Sequence, residues 1–189
     1  MCHENIIIQN EILNRGVGLN GNNMKMLVNL PPSHVGCVTE QLMATVYLGG
    51  TALILRIFDP KLTLEAIEKH RIDIFGQIPT QYRIEWALPE YKNYDLKSLE
   101  YAIYGGSAVD SIFLKQLSEM APNFGTGIGM TETVGFYSFT PKGITVEEMA
   151  GQVGIAFDEL APVTIRKPAT GGIARAELPG CSRCGRRAT

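Results

Sequence analysis

No apolar run in this 189-residue chain reaches the ~18 residues needed to span a bilayer. Its first residues, MCHENIII, also lack the basic, apolar and small-residue order of a secretion signal. A membrane partner is therefore excluded and a cytoplasmic address is expected. Charge of one sign is equally scarce. Lys and Arg number 17 against 19 Asp and Glu, a formal net charge of -2, and the only basic run, Arg183 to Arg187, stands in the tail. No field is available to gather a polyanion, so nucleic acid is excluded as a partner. The four cysteines, Cys2, Cys37, Cys181 and Cys184, are too few and too scattered for a disulfide framework, and reduced thiols are expected. Cys181 and Cys184 have the spacing of half a zinc site, but no second ligand pair stands near them, and they read as incidental thiols of a tail.

What remains is an ordinary folded composition, 45% apolar and 19% charged, with length enough to bury the core of one domain or of a piece of a larger one. Along it, short apolar runs alternate with amphipathic helical segments, which implies a parallel sheet with helices on its faces. Strands are expected at Lys25 to Leu30, Thr51 to Ile57, Ile72 to Gly76, Tyr101 to Tyr104 and Phe124 to Ile128, all rich in β-branched and aromatic residues. After the Pro31-Pro32 break, Val35, Val38, Leu42 and Val46 recur at helical spacing, with Ser33 placed to cap and Gly49-Gly50 to terminate. Thr63 is expected to cap a helix that turns Leu64 and Ile67 inward. Pro79 opens another through Tyr82 to Leu88, and Asp110 caps a third with Phe113, Leu117 and Met120 on one face. Beyond Gly143 a loop leads toward a β-rich segment in which Pro162 to Lys167 reads as a strand.

In an open sheet of this kind ligands bind beyond the carboxyl ends of the strands, where loops meet helix N-termini. Two loops have that position. YGGSAVD, Tyr104 to Asp110, follows a strand and precedes a capped helix; NFGTGIGMTETVGF, Asn123 to Phe136, carries glycines at alternate positions and then Thr131, Glu132 and Thr133. Bare backbone lets a ligand approach closely, and a hydroxyl beside a carboxylate suits a phosphate and its magnesium ion.

Four ordered segments, LPPSHVG (Leu30 to Gly36), YGGSAVD, GIGMTET (Gly127 to Thr133) and GQVGIAF (Gly151 to Phe157), together resemble the adenylate-forming (AMP-binding) superfamily of acyl-CoA synthetases, luciferases and peptide-synthetase adenylation domains. The resemblance runs from Cys2 to Gly172. It implies a doubly wound, mostly parallel α/β subdomain over residues 1–140 and a loop with the start of a β subdomain over 141–172, leaving 173–189 as a disordered or non-native tail. It implies a ligase that joins a carboxylic acid to coenzyme A by way of an acyl-adenylate made from ATP with Mg2+. By the same resemblance His34 orients or gates the acyl group. Gly105, Gly106 and Ser107 lie against adenine, and Gly127, Ile128, Gly129, Met130 and Thr131 complete the nucleotide contacts. Thr131 meets phosphate and Glu132 faces magnesium, so His34, Thr131 and Glu132 form the catalytic set. Tyr82, Trp86 and the stretch Tyr104 to Val109 are expected in the acid pocket, favouring a hydrophobic acyl or aryl acid. Where the family often has an aromatic ring to stack on adenine, this chain has Ile128, which can offer only dispersion, forfeiting about 1 kcal/mol.

The family's phosphate loop, ribose-binding aspartate and small domain with a catalytic lysine have no counterpart in these residues. The chain thus reads as the middle of an enzyme, expected not to complete adenylation alone. Two other readings stay open. One is a non-catalytic nucleotide-binding remnant or scaffold, whose exposed apolar faces would favour a homo-oligomer. The other is an S-adenosylmethionine-dependent methyltransferase, in which GTGIG forms the ligand turn and Glu147 or Glu148 holds the ribose. A dinucleotide fingerprint fails, because Met130 occupies its third glycine position.

Overall fold

The computed structural model describes residues 2–18 and 23–173. The thiols Cys181 and Cys184, the run Arg183 to Arg187 and nearly all of the expected tail lie outside the described residues. Five strands, β1 (Lys25–Val28), β2 (Thr51–Ile54), β3 (Ile74–Gln77), β4 (Tyr101–Tyr104) and β5 (Asn123–Gly125), pair in parallel in the order β2-β1-β3-β4-β5. Met26 stands beside Ala52 on one side and Ile74 on the other, Ile74 beside Tyr101, and Tyr101 beside Asn123.

Alternation along these strands sends side chains to both faces, and each face has its own core. Leu27, Phe75, Ala102, Tyr104 and Phe124 pack against Leu64 and Ile67 of α3 (Pro60–His70), Tyr82 of α4 (Pro79–Trp86) and Phe113 and Leu117 of α5 (Ser111–Met120). Met26, Ile74, Tyr101 and Ile103 pack against Leu13 and Val17 of α1 (His3–Val17) and Ala44 of α2 (Met43–Tyr47). Each fully buried side chain of this size contributes about 1.5–3 kcal/mol. Helices as short as these are marginal in isolation, so this burial, not helix propensity, holds them. The architecture is the doubly wound α/β class, a mostly parallel sheet with flanking helices.

Several local expectations are corrected. The cap of α3 is Asp59, which accepts from Leu62 N–H at 2.8 Å, while Thr63 sits inside the helix and donates back to Asp59 O. The segment Gly36–Leu42 is π-helical, with Met43 N–H reaching Val38 O, and Ser33 caps nothing. A π turn holds more residues than an α turn and rotates the inward stripe. Cys37, Thr39, Gln41, Ala44 and Thr45 are buried as a result, whereas Val46 is 65% exposed. β5 stops at Gly125 because Thr126 turns aside, its hydroxyl donating to Tyr104 O at 2.7 Å and its N–H to Thr140 Oγ1 at 3.0 Å. In place of a strand over Pro162 to Lys167 there is one bridge, Arg166 to Ile173. Helix α1, not anticipated as a helix, buries Gln9 and Asn10 along with Ile12, Leu13 and Val17, which blurs its apolar period. Past the sheet come two antiparallel pairs, β6 (Gly129–Met130) with β7 (Gly135–Phe136) and β8 (Ser138–Phe139) with β9 (Ile155–Ala156). Helix α6 (Val146–Met149), capped by Thr145, lies between β8 and β9 and carries Glu147 and Glu148. No described helix is long and apolar enough to cross a membrane.

Candidate active-site cleft

Strand order reverses between β1 and β3, and the crevice there is where a sheet of this order binds ligands. A cleft of about 550 Å3 opens at that point, beyond the carboxyl ends of β1, β3 and β4. The size suits a small organic ligand.

Its floor is held by a one-way chain of buried side chains. Gln41 Nε2 donates to Asn29 Oδ1 at 3.1 Å, Asn29 Nδ2 donates to Gln77 Oε1 at 3.0 Å, and Gln77 Nε2 donates to Glu85 Oε2 at 2.7 Å. Gln41 also donates to Gly76 O at 2.8 Å and accepts from the N–H groups of Asn29 and Leu30. The ends of β1 and β3 and the π segment are thus pinned together by groups whose hydrogen bonds point inward. Glu85 is fully buried, and burial pushes its carboxyl up to about 8 against the opposing effect of the Gln77 bond.

The facing wall is the glycine hairpin. Tyr137 N–H donates to Ile128 O at 3.0 Å, Ile128 N–H to Ser138 Oγ at 3.1 Å and Thr140 N–H to Thr126 O at 2.9 Å, so backbone closes the loop. At Gly129 a Cβ would lie 2.4 Å from Gly135 O, a contact only glycine allows. Thr133 is consumed by the turn, its hydroxyl accepting from Met130 N–H at 3.0 Å and lying 2.8 Å from Gly135 O. Thr39 joins the two walls by donating to Val134 O at 2.6 Å.

The cleft brings together most, not all, of the residues singled out in the sequence. His34, Gly105, Gly106, Gly129, Met130, Thr131 and Glu132 line it. His34 is exposed and its Nδ1 accepts from Gly36 N–H at 3.0 Å, leaving Nε2 to carry the proton of the neutral ring. Thr131 and Glu132 are exposed, and among the described residues neither side chain has a protein partner. Ser107, Gly127 and Ile128 do not line the cleft: Ser107 is exposed on the loop beyond Gly106, and Gly127 packs against Phe136 and Ser138. Tyr82 and Trp86, expected in the pocket, instead face the core between the sheet and α5. Tyr82 donates to Ile103 O at 2.8 Å, and it is Gln81 that α4 turns to the cleft.

Among the lining residues that escaped the sequence reading, one is ionisable. Glu40 is half-buried in the cleft, and desolvation pushes its carboxyl up to about 7 although Phe136 N–H donates to it. The signal was present, since Glu40 is the sole Asp, Glu, Lys or Arg between Lys25 and Arg56. Leu30, Val35, Ile78, Ile103 and Phe136 supply apolar walls, and among the described residues no lysine or arginine lines the space. The described residues also hold no cluster of three or more His, Cys, Asp or Glu side chains able to bind a metal by themselves. A lone carboxylate such as Glu132 fits magnesium only in that ion's usual manner, with phosphate oxygens and water completing its shell.

A protein-family model described as AMP-binding enzyme matches residues 1–181. The chain is 31% identical over 108 residues to a feruloyl-CoA synthase of an Amycolatopsis species, covering 57% of this chain and 22% of the relative. It is 27% identical over 132 residues to an indoleacetate–CoA ligase of Aromatoleum aromaticum, covering 70% of this chain and 26% of the relative. The chain therefore spans about a quarter of the length of these curated relatives. Among solved structures, a fatty acyl CoA synthetase of Mycobacterium tuberculosis superposes over 92% of this chain and 34% of its own, with a TM-score of 0.80 at 22% identity, a likeness of fold. Sheet order, cleft position and a family match across nearly the full length agree: the chain belongs to the AMP-binding enzyme family.

Proposed function

We propose that this chain forms the acid-binding and part of the nucleotide-binding wall of an AMP-forming carboxylic acid–CoA ligase. The carrying observation is that His34, Gly105, Gly106, Thr131 and Glu132, drawn from three separate loops, share one cleft with apolar walls. The relatives named feruloyl-CoA synthase and indoleacetate–CoA ligase support an acyl or aryl acid and coenzyme A as acceptor. An o-succinylbenzoate coenzyme A synthetase of Bacillus subtilis solved with ATP and magnesium ion, alike in fold at a TM-score of 0.77 and 18% identity, supports the nucleotide and metal.

In the reaction so assigned, a carboxylate oxygen of the acid bonds to the α-phosphorus of ATP as the bond to pyrophosphate breaks, and the thiol sulfur of coenzyme A then displaces AMP. Magnesium supplies charge neutralisation on the phosphates. Thr131 donates its hydroxyl to a phosphate oxygen and Glu132 turns its carboxylate to the metal. Gly105 and Gly106 let adenine approach the backbone, while His34 Nε2 donates toward the reacting carboxylate. The apolar walls exclude water from the activated acid.

A phosphoryl transition state needs cations gathered around it, and among the described residues no lysine or arginine lines this cleft. The chain alone is expected to bind ATP with magnesium and to leave ATP–pyrophosphate exchange at background over a panel of carboxylic acids. Calorimetric titration detecting no ATP binding overturns the site assignment; vigorous exchange overturns the assigned incompleteness.

A further inference from the structure

Glu40 is an ionisable side chain in the cleft that the proposed reaction leaves unused. Its carboxylate occupies a niche beside Gly135. A Cβ at Gly135 would lie 2.9 Å from Oε1, so the missing side chain there makes the room, while one at Gly36 would stand at ordinary contact distance, 3.6 Å from Oε2. Gly135 also holds φ at 132°, a backbone state that other residues rarely adopt. The niche is therefore specified from the hairpin side.

Within it the carboxylate has one hydrogen-bond partner among the described residues, the Phe136 N–H, and takes part in no ion pair. The amide of Gln9, buried and itself without a partner, reaches Gly135 from the α1 side, with Nε2 3.0 Å from the same Cβ position. The other polar side chains on the cleft floor are engaged. Gln41 and Gln77 spend both amide ends on the buried chain, and Gln81 Oε1 accepts from Ile78 N–H. A carboxylate oxygen pair accepts about four hydrogen bonds, so Glu40 retains acceptor capacity facing the ligand space. Among the described residues no cation neutralises it.

Resting on the acid-site reading above, we propose that Glu40 sets the substrate class: the cleft takes a carboxylic acid that carries a basic amino group away from its reacting carboxyl. An ammonium both donates to the carboxylate and cancels its charge, and charge-assisted bonds of this kind are about twice as strong as neutral ones. Repulsion between two carboxylates turns the substrate's reacting end away from Glu40. The Leu30, Val35, Ile78 and Phe136 walls then flank an apolar or aryl spacer between the two ends. This refines the purely hydrophobic acid expected from the sequence into a zwitterionic one with a hydrophobic middle.

Three isosteric probes test the inference: 4-(aminomethyl)cinnamic acid, 4-(hydroxymethyl)cinnamic acid and 4-ethylcinnamic acid, each titrated calorimetrically into this chain and into Glu40→Gln in the presence of ATP and magnesium. The amino probe is expected to bind at least about tenfold tighter than the ethyl probe, with the hydroxyl probe between them. Glu40→Gln is expected to abolish the amino advantage while leaving the hydroxyl probe within about threefold, because the amide oxygen still accepts. Comparable thermal melting of the two proteins establishes that the variant is folded. Tight binding of the ethyl probe at or above the amino probe overturns the role of Glu40 and leaves the acid site standing. Binding of none of the three overturns the acid-site reading and this inference with it. An amino preference that survives Glu40→Gln overturns the assignment to Glu40.

Discussion

The cleft has one wall fixed by side chains and another fixed by main chain. On the α4 side, Phe75, Tyr82, Trp86, Tyr104 and Phe113 form a continuous aromatic cluster with ring centroids 5.0–5.8 Å apart behind the surface. The buried chain from Gln41 to Glu85 locks the strand ends in front of it. On the hairpin side, glycine contacts and backbone hydrogen bonds set the shape, and Thr131 and Glu132 are left with no structural task. Buried packing is concentrated in the first wall, and polar side chains without a protein partner among the described residues in the second. Groups already satisfied by the protein have little left to offer a substrate, and unsatisfied ones gain most when a ligand arrives.

The sharpest way to break that contrast is at Phe113. Its ring is fully buried and contacts Tyr82, Trp86 and Tyr104. Phe113→Ala should remove about 3–5 kcal/mol of stability, read as a lower urea midpoint at unchanged slope. A loss below 1 kcal/mol would mean that the aromatic cluster does not carry this wall.

Glu85 gives a smaller effect with a definite sign. Its carboxyl titrates near 8 in the folded chain against an ordinary 4.5. The folded state therefore holds a proton that the unfolded state has released over that interval. Stability from this group is fully present below the ordinary value and falls as pH rises toward 8, by at most about 1.4 kcal/mol per pH unit. Glu40, raised to about 7, adds to the decline over the lower part of the same range. Glu85→Gln keeps an oxygen to accept from Gln77 and has no proton to lose. It should melt much as the parent does at pH 5 and be more stable by about 3 kcal/mol at pH 8. Parallel pH profiles for the two proteins would show that Glu85 is not the source.

The contrast between the walls also explains what could be read in advance. The central strands announced themselves, because Tyr101 to Tyr104 and the runs around Leu27 and Phe75 are short apolar stretches with both faces covered. Gly129, Thr131 and Glu132 were equally legible, since a local turn needs no tertiary partner to be recognised. What escaped was set by long-range contacts. The π turn that rotates Gln41 inward answers to Asn29 and Gly76, at 12 and 35 residues' separation, and no local period encodes it. Tyr82 and Trp86 fit a pocket equally well by composition. Only the packing of α4 on α5 shows that they turn the other way. Glu40 was visible as a solitary charge, but its niche depends on Gly135, far along the chain.

The smallest expected change in stability is at the second wall, and it is the most demanding test of the comparison. Thr131 and Glu132 are exposed and engage no protein group among the described residues. Thr131→Ala and Glu132→Gln should therefore each shift stability by no more than about 0.5 kcal/mol. Binding should respond quite differently. Glu132→Gln is expected to weaken ATP by about tenfold when magnesium is present and to leave metal-free ATP nearly unchanged, because a neutral amide is a poorer ligand for a hard cation. Thr131→Ala removes a phosphate donor and should weaken ATP with or without the metal. Loss of stability beyond 1 kcal/mol in either variant would assign the hairpin tip a structural task and erase the distinction between the walls. Equal weakening by Glu132→Gln with and without magnesium would leave the distinction intact and remove the metal from Glu132.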